Sequence, residues 1–137
     1  MKATDTWLYL CACHKKPMNC SAIDYMIHSL DHATSTMQDP RNFENKLEIN
    51  KKATKHLESI VRRLYRLFSH TYFHHEEVFL KHEKKTFLCT RFVQFARKFN
   101  MMSDDLFIIP ESVIEGFKSS NTIDSIDEDQ AKNPDQN

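Results

Sequence analysis

Glycine is almost absent from this chain: Gly116 is the only one in 137 residues. Phosphate-binding loops and dinucleotide-binding turns need several glycines, because the backbone must approach the ligand closely. Nucleotide binding of those two kinds is therefore excluded. The scarcity of glycine also removes the usual helix C-cap, and we expect Asn100 to end one helix in its place.

Two further absences concern net charge and long apolar runs. Lysine and arginine balance aspartate and glutamate at 19 each. A net charge of zero argues against a general nucleic-acid binder, which carries an excess of basic residues. No apolar run approaches the roughly 18 residues of a transmembrane helix, and the first five residues lack the pattern of a signal peptide. We therefore expect one cytosolic domain without a membrane span.

Apolar periodicity predicts that most of the chain is helical. The first helix is expected over 21–36, with Ser21 as its N-cap. Its predicted core face consists of Ile23, Met26, Ile27 and Leu30. After a loop over 39–50, a long helical stretch is expected over 51–81, with a bend near 69–75. Its apolar stripe consists of Leu57, Ile60, Val61, Leu64, Tyr65 and Phe68.

The two ends of the chain and a third helix complete the predicted organisation. Residues 86–100 are predicted to be helical, with a core face formed by Leu88, Phe92, Phe95 and Phe99. Residues 6–13 are aromatic-rich and typical of a short strand. Residues 118–137 hold two lysines against five carboxylates, a net of −3, and we expect them to be disordered. The prediction is a folded domain over 1–115 and an acidic tail over 116–137.

Three histidines stand within six positions, at His70, His74 and His75. Imidazoles are natural zinc ligands, and on an ideal helix the first two share a face. His70 and His75 would lie about 140° apart, so they could share a metal only if the helix ended between them. Two histidines do not complete a four-ligand site. Solvated or packed histidines remain the alternative.

A second group contains Cys11, Cys13, His14 and Cys20. Its C-x-C spacing is tighter than the usual metal-binding C-x₂₋₄-C. We interpret these cysteines as residues on one face of a strand with one buried thiol. They are expected to stay reduced, as intracellular thiols usually do. Metal binding by this group remains the alternative.

Arg62, Arg63 and Arg66 are crowded into one helical turn. Neighbouring guanidinium groups repel one another unless an anion lies among them, and arginine forks bind phosphate and carboxylate well. We place them opposite the apolar stripe, with His70 one turn further on, as a pocket for a phosphopeptide or an acidic segment. The alternatives are a solvated face, or pairing with Glu44, Glu48 or Glu58. No nucleophile–base set is recognisable nearby.

Several of these segments resemble the MOB kinase-activator family, and its phocein branch most. The segments are WLYLC at 7–11, HKKP at 14–17, CSAIDY at 20–25, RRLYRLFSH at 62–70, YFHH at 72–75 and FLC-x-RF at 87–92. The resemblance covers roughly residues 3–112. It implies an all-α fold, a MOB-like helical bundle with a short N-terminal β-hairpin.

The resemblance also implies a structural zinc whose histidine ligands fall on His70 and His75. The helix must then end or distort before His75. The family's cysteine ligands form a C-x₄-C pair just upstream of the segment that matches residues 2–7, so both are absent here. We expect an N-terminally truncated chain whose zinc site is incomplete.

The implied function is that of a non-enzymatic signalling adaptor, cytoplasmic and also peripheral at membranes. Arg62, Arg63 and Arg66 match the positions of the family's phosphopeptide pocket. Phocein-like members bridge striatin, the type-2A phosphatase and germinal-centre kinases. The alternative within the family is a direct coactivator of NDR/LATS-type kinases. A zinc hydrolase with Glu76 or Glu77 as its base is the alternative from another class.

Overall fold

The computed structural model describes residues 1–45 and 47–116, so all but Gly116 of the predicted acidic tail lies outside the described residues. The described elements are α1 (Ala22–Gln38), α2 (Lys51–His74), α3 (Glu76–Thr86), α4 (Leu88–Lys98), a 3₁₀ turn (Asp104–Leu106) and α5 (Glu111–Gly116). This confirms the predicted all-α class. Helix α2 packs against α1, α3 and α4, and α4 also contacts α5. None of the described helices combines the length and apolar character of a membrane span.

Local capping explains where the first two helices begin. The Ser21 hydroxyl accepts a hydrogen bond from the backbone N–H of Asp24 at 3.2 Å, which confirms the predicted N-cap of α1. The Asn50 side chain accepts one from the N–H of Ala53 at 2.9 Å and caps α2. The predicted loop between these helices is also confirmed, because α1 ends at Gln38, next to the Asp39-Pro40 pair.

The N-terminal segment departs from the predicted strand and hairpin. Residues 1–20 contain two isolated antiparallel bridges, Lys2 with Leu8 and Cys11 with Met18, and no named strand. The strand predicted over 6–13 is therefore wrong. A two-stranded ribbon is marginal by itself. This segment instead folds back on the helices through buried side chains such as Ala3 and Tyr9.

The predicted core face of α1 is wrong except for Met26, which packs against a buried cluster. Ile23, Ile27 and Leu30 are about half exposed, whereas the buried residues of the helix are Tyr25, Ser29 and Ala33. Periodicity locates an apolar side of a helix, but it does not tell which side the neighbouring elements cover. Here the buried side of α1 carries Tyr25, Ser29 and Ala33, and much of its apolar face remains open.

Helix α4 shows the same kind of shift. The predicted core residues Leu88, Phe95 and Phe99 are each about half exposed, and only Phe92 packs inward, 5.1 Å from Phe68 between ring centroids. The buried residues are Cys89, Thr90, Val93 and Ala96. These small side chains allow α4 to approach its neighbours closely. In α2 the predicted stripe is confirmed by buried Ile60, Val61 and Tyr65.

The junction of α3 and α4 depends on one buried carboxylate. Phe87 adopts a left-handed conformation there, with φ 51°, and its side chain makes no capping hydrogen bond. Glu83, only 3% exposed, accepts hydrogen bonds from the backbone N–H groups of Cys89 and Thr90 at 2.9 and 2.8 Å. A carboxylate at this end of α4 also meets the positive end of the helix dipole.

Asn100 ends α4 as predicted. Its φ is 50°, and the N–H of Met101 reaches back to the carbonyl of Ala96 at 2.8 Å. This is the hydrogen bond that a glycine C-cap usually permits, made here by the residue that best tolerates the left-handed region after glycine.

We predict that Glu83→Ala lowers the free energy of unfolding by about 2–4 kcal/mol, because two buried N–H groups lose a charged acceptor. Urea denaturation followed by circular dichroism measures this loss. Glu44→Ala, which removes an exposed loop carboxylate, should change stability by less than about 0.5 kcal/mol. Equal effects of the two substitutions would contradict the capping role.

Candidate functional site

Arg66 is the central residue of the predicted basic surface. Its Nη1 donates a hydrogen bond to the Tyr25 hydroxyl at 3.0 Å, and its Cζ lies 5.0 Å from the centroid of the Tyr9 ring. The second contact is a cation–π interaction, which stabilises a guanidinium group without neutralising it. The side chain is half-buried. Its position is therefore fixed while its positive charge is kept.

Arg62 stands one turn before Arg66 and is exposed. Both arginines line a cavity of about 110 Å³. The other lining residues are Trp7, Tyr9, Tyr65, Met102, Asp105, Leu106 and Ile108. The two guanidinium groups thus border an aromatic and apolar depression in which Asp105 is the one acidic lining residue.

Arg63 flanks Arg66 on the other side. Successive residues are about 100° apart on a helix, so Arg63 points away from Arg62 and toward α1. His32 of α1 is close enough to be affected by this charge. Burial is the main cause that lowers the pKa of His32, and the positive charge of Arg63 is the second. The three arginines therefore form one band across α2, which we call the arginine face.

No carboxylate among the described residues forms an ion pair with the arginine face. The ion pairs among the described residues involve Arg41 and Arg97 instead. The alternative in which Glu44, Glu48 or Glu58 neutralises the arginines has no support in these ion pairs.

The C-terminal end of α2 confirms one prediction and corrects another. The helix ends at His74, and His75 is its C-cap, with φ −144° and ψ 46°, as the expected break before His75 requires. The His70 ring lies 5.5 Å from the His75 ring and 4.9 Å from the His74 ring, between centroids. His70 is buried, however, and does not share an open face with the arginines. The N-terminal segment covers it.

The hydrogen bonding of His70 suits a metal ligand. Its Nδ1 lies 2.6 Å from the carbonyl oxygen of Lys2, so this nitrogen carries the proton and donates. Metal-binding imidazoles usually hold their second nitrogen in this way. The Nε2 atoms of His70 and His74 are buried and have no hydrogen-bond partner. Burial is the main reason why the pKa of His70 is lowered, which favours the neutral ring that binds metals.

The described residues supply only part of the zinc site that the resemblance implies. Cys20 lines the same cavity of about 350 Å³ as His70 and His74. Among the described residues, the ligand atoms of Cys20, His70, His74 and His75 do not converge into a group of three or more. The imidazoles of His70 and His75 fit half of a four-ligand site.

The one convergent group in the described residues lies elsewhere, and the sequence pointed to three of its four members. It consists of Cys11, His14, Cys20 and His28, whose ligand atoms all lie within 4.8 Å of one another. The sequence interpretation, a strand face with one buried thiol, did not include His28. The spacings Cys-x₂-His and Cys-x₇-His are the sequence feature that could have indicated this group. They indicate a shared metal site only if a turn brings residue 11 back to residue 20.

Comparison with known proteins gives a consistent result. A sequence profile of the Mob1/phocein family matches residues 1–109. MOB kinase activator-like 4 of Drosophila melanogaster is 44% identical over 115 residues, which are 84% of this chain and 52% of that protein. MOB-like protein phocein of Caenorhabditis elegans is 41% identical over 110 residues, 80% of this chain and 49% of that protein.

A more distant relative, maintenance of ploidy protein mob1 of Schizosaccharomyces pombe, is 29% identical over 107 residues, 74% of this chain and 51% of that protein. The chain thus spans about half the length of the curated relatives it matches. The profile match contains the arginine face, the histidine end of α2 and the Cys/His group. The chain belongs to the Mob1/phocein family.

Proposed function

We propose that this chain is a non-enzymatic signalling adaptor that binds a phosphorylated segment of a partner protein on the arginine face. The observation that carries the proposal is Arg66, which is half-buried against Tyr9 and Tyr25 and has no carboxylate partner among the described residues. A guanidinium group held in this way loses little conformational entropy when an anion binds.

The neighbours of Arg66 suit a peptide as well as a phosphate. Arg62 and Arg63 place further positive charge on both sides, so a phosphate group would meet several donors at once. The depression beside Arg62 is lined by exposed Trp7 and half-buried Leu106, which offer apolar contacts to peptide side chains. Recognition by a cluster of arginines is a recurring mode of phosphopeptide binding.

The partners we propose are striatin, the type-2A phosphatase and germinal-centre kinases. The likeness to MOB-like protein phocein supports this set. The alternative is direct coactivation of an NDR/LATS-type kinase, which the name of the relative MOB kinase activator-like 4 favours. Both alternatives use the arginine face, and they differ in which partner protein the chain binds.

We propose that His70 and His75 provide two ligands of a structural zinc. The buried, unpartnered Nε2 of His70 and the hydrogen bond that fixes its other nitrogen support it. When bound, the metal would join the end of α2 to whatever supplies the remaining ligands, and it would have a structural role.

We predict that Arg63→Ala and Arg66→Ala each weaken the binding of a phosphothreonine peptide from a germinal-centre kinase by about tenfold or more, because a hydrogen bond between charged groups contributes about 1.5–3 kcal/mol. Fluorescence polarisation measures the affinity. Binding should also weaken with added salt.

Two variants control this experiment. Arg91→Ala removes an exposed arginine of α4 and should leave the affinity unchanged. Tyr25→Phe removes only the hydrogen bond to Arg66 and should cost less affinity than the loss of the guanidinium group. If the unphosphorylated peptide binds as tightly as the phosphorylated one, the proposed pocket does not exist.

We predict that the immobilised 137-residue chain retains striatin and the catalytic subunit of the type-2A phosphatase from a cell extract. Arg66→Glu should lose a bound germinal-centre kinase while striatin stays, if the arginine face binds the kinase alone. Retention of an NDR-type kinase without striatin would favour the alternative partner set, and retention of neither would contradict both.

A further inference from the structure

Four metal-binding side chains converge where the N-terminal segment meets α1. The Sγ of Cys11 lies 3.6 Å from the Nδ1 of His28, and the Sγ of Cys20 lies 3.9 Å from the same atom. The Nε2 of His14 lies 3.0 Å from the Sγ of Cys20. Two sulfur and two nitrogen atoms thus surround one point, with rings of His14 and His28 edge to face at 5.0 Å.

These separations agree with a tetrahedral zinc ion. Zinc binds thiolate sulfur at about 2.3 Å and imidazole nitrogen at about 2.0–2.1 Å. At a tetrahedral angle these lengths put sulfur and nitrogen about 3.6 Å apart. The observed distances of 3.6, 3.9 and 3.0 Å lie on both sides of that value. Two thiolates with two imidazoles are also a usual ligand set of structural zinc.

The backbone brings the four residues together for identifiable reasons. Cys11 and Met18 exchange hydrogen bonds, N–H to carbonyl, at 2.8 and 3.1 Å, which closes the turn that carries His14 and returns the chain to Cys20. Ser21 then caps α1, and His28 follows in its second turn. The ligands therefore come from a closed turn and from the helix that immediately follows it.

Ordinary packing accounts less well for this group. A buried cysteine usually behaves as a small apolar residue, but Cys11 and Cys20 both face the same imidazole nitrogen. All four cysteines of the chain are free thiols. Cys13 provides a useful contrast, because it is exposed, its Sγ contacts the backbone carbonyl oxygen of His28 at 3.5 Å, and it is not one of the four residues whose ligand atoms converge.

We infer that Cys11, His14, Cys20 and His28 form a structural zinc site, separate from the site proposed on His70 and His75. Its metal joins residues 11–20, which contain no helix or strand, to α1. The same N-terminal segment contributes Tyr9, on which Arg66 rests. The site therefore fixes the support of the arginine face. All four coordination positions are filled by the chain, so its role is structural and not catalytic.

Cobalt substitution of the full chain tests the ligand set. Co²⁺ added to metal-free protein should bind and give the visible absorption of a tetrahedral ion together with a thiolate charge-transfer band. Cys11→Ser and Cys20→Ser should each weaken that band and the affinity by about 100-fold or more, whereas the matched variant Cys13→Ser should retain both. Loss of the band in Cys13→Ser but not in Cys20→Ser would overturn the assignment.

The double variant His70→Ala, His75→Ala separates the two metal proposals. It should retain the cobalt spectrum, because neither residue belongs to the Cys/His group. Loss of the spectrum in this variant would place the metal at the end of α2 and refute the inference, while leaving peptide binding on the arginine face as a separate question.

Thiol labelling tests the same ligands in the unaltered chain, so its result does not depend on whether a variant folds. With Zn²⁺ present, alkylation of Cys11 and Cys20 should slow by about tenfold or more, while exposed Cys13 should react at nearly the same rate. Cys89 should stay unreactive throughout, because burial raises its pKa to about 12. Equal labelling with and without zinc would refute the site.

Discussion

The positive charge of Arg66 is held against two tyrosines and meets no carboxylate within the described residues. This one interaction links the fold to the proposed function. Tyr25 belongs to α1, Tyr9 to the N-terminal segment and Arg66 to α2, so the guanidinium group lies where three parts of the chain meet. The fold fixes the cation without neutralising it, and an external anion is the natural complement.

The N-terminal segment has little regular structure to hold it in place. Two isolated bridges lie within it. The contact of Lys2 with His70 and the pair Tyr9–Ser69 at 3.1 Å attach it to α2. A zinc ion on the Cys/His group would join this segment to α1 more strongly than these contacts do, because the free energy of metal binding contributes directly to folding. The two proposals are thus coupled physically, although each is measured independently.

Features set by neighbouring residues could be predicted from the sequence. The Ser21 cap and the Asn100 end of α4 are of this kind. The break before His75 was expected from the family resemblance. The buried side of α4, the carboxylate cap from Glu83 and the Cys/His group could not, because each depends on elements brought together by the fold. The arginine band was visible in the sequence, but the burial of His70 beside it was not.

The central claim is that an anion binds among Arg62, Arg63 and Arg66. Side-chain nitrogen NMR of ¹⁵N-arginine-labelled protein tests it most directly, because each guanidinium Nε–H gives its own signal. Titration with a phosphothreonine peptide should move the signals of these three arginines and leave those of Arg91 and Arg97 in place. Shifts confined to Arg91 and Arg97, or equal shifts with the unphosphorylated peptide, would contradict the account.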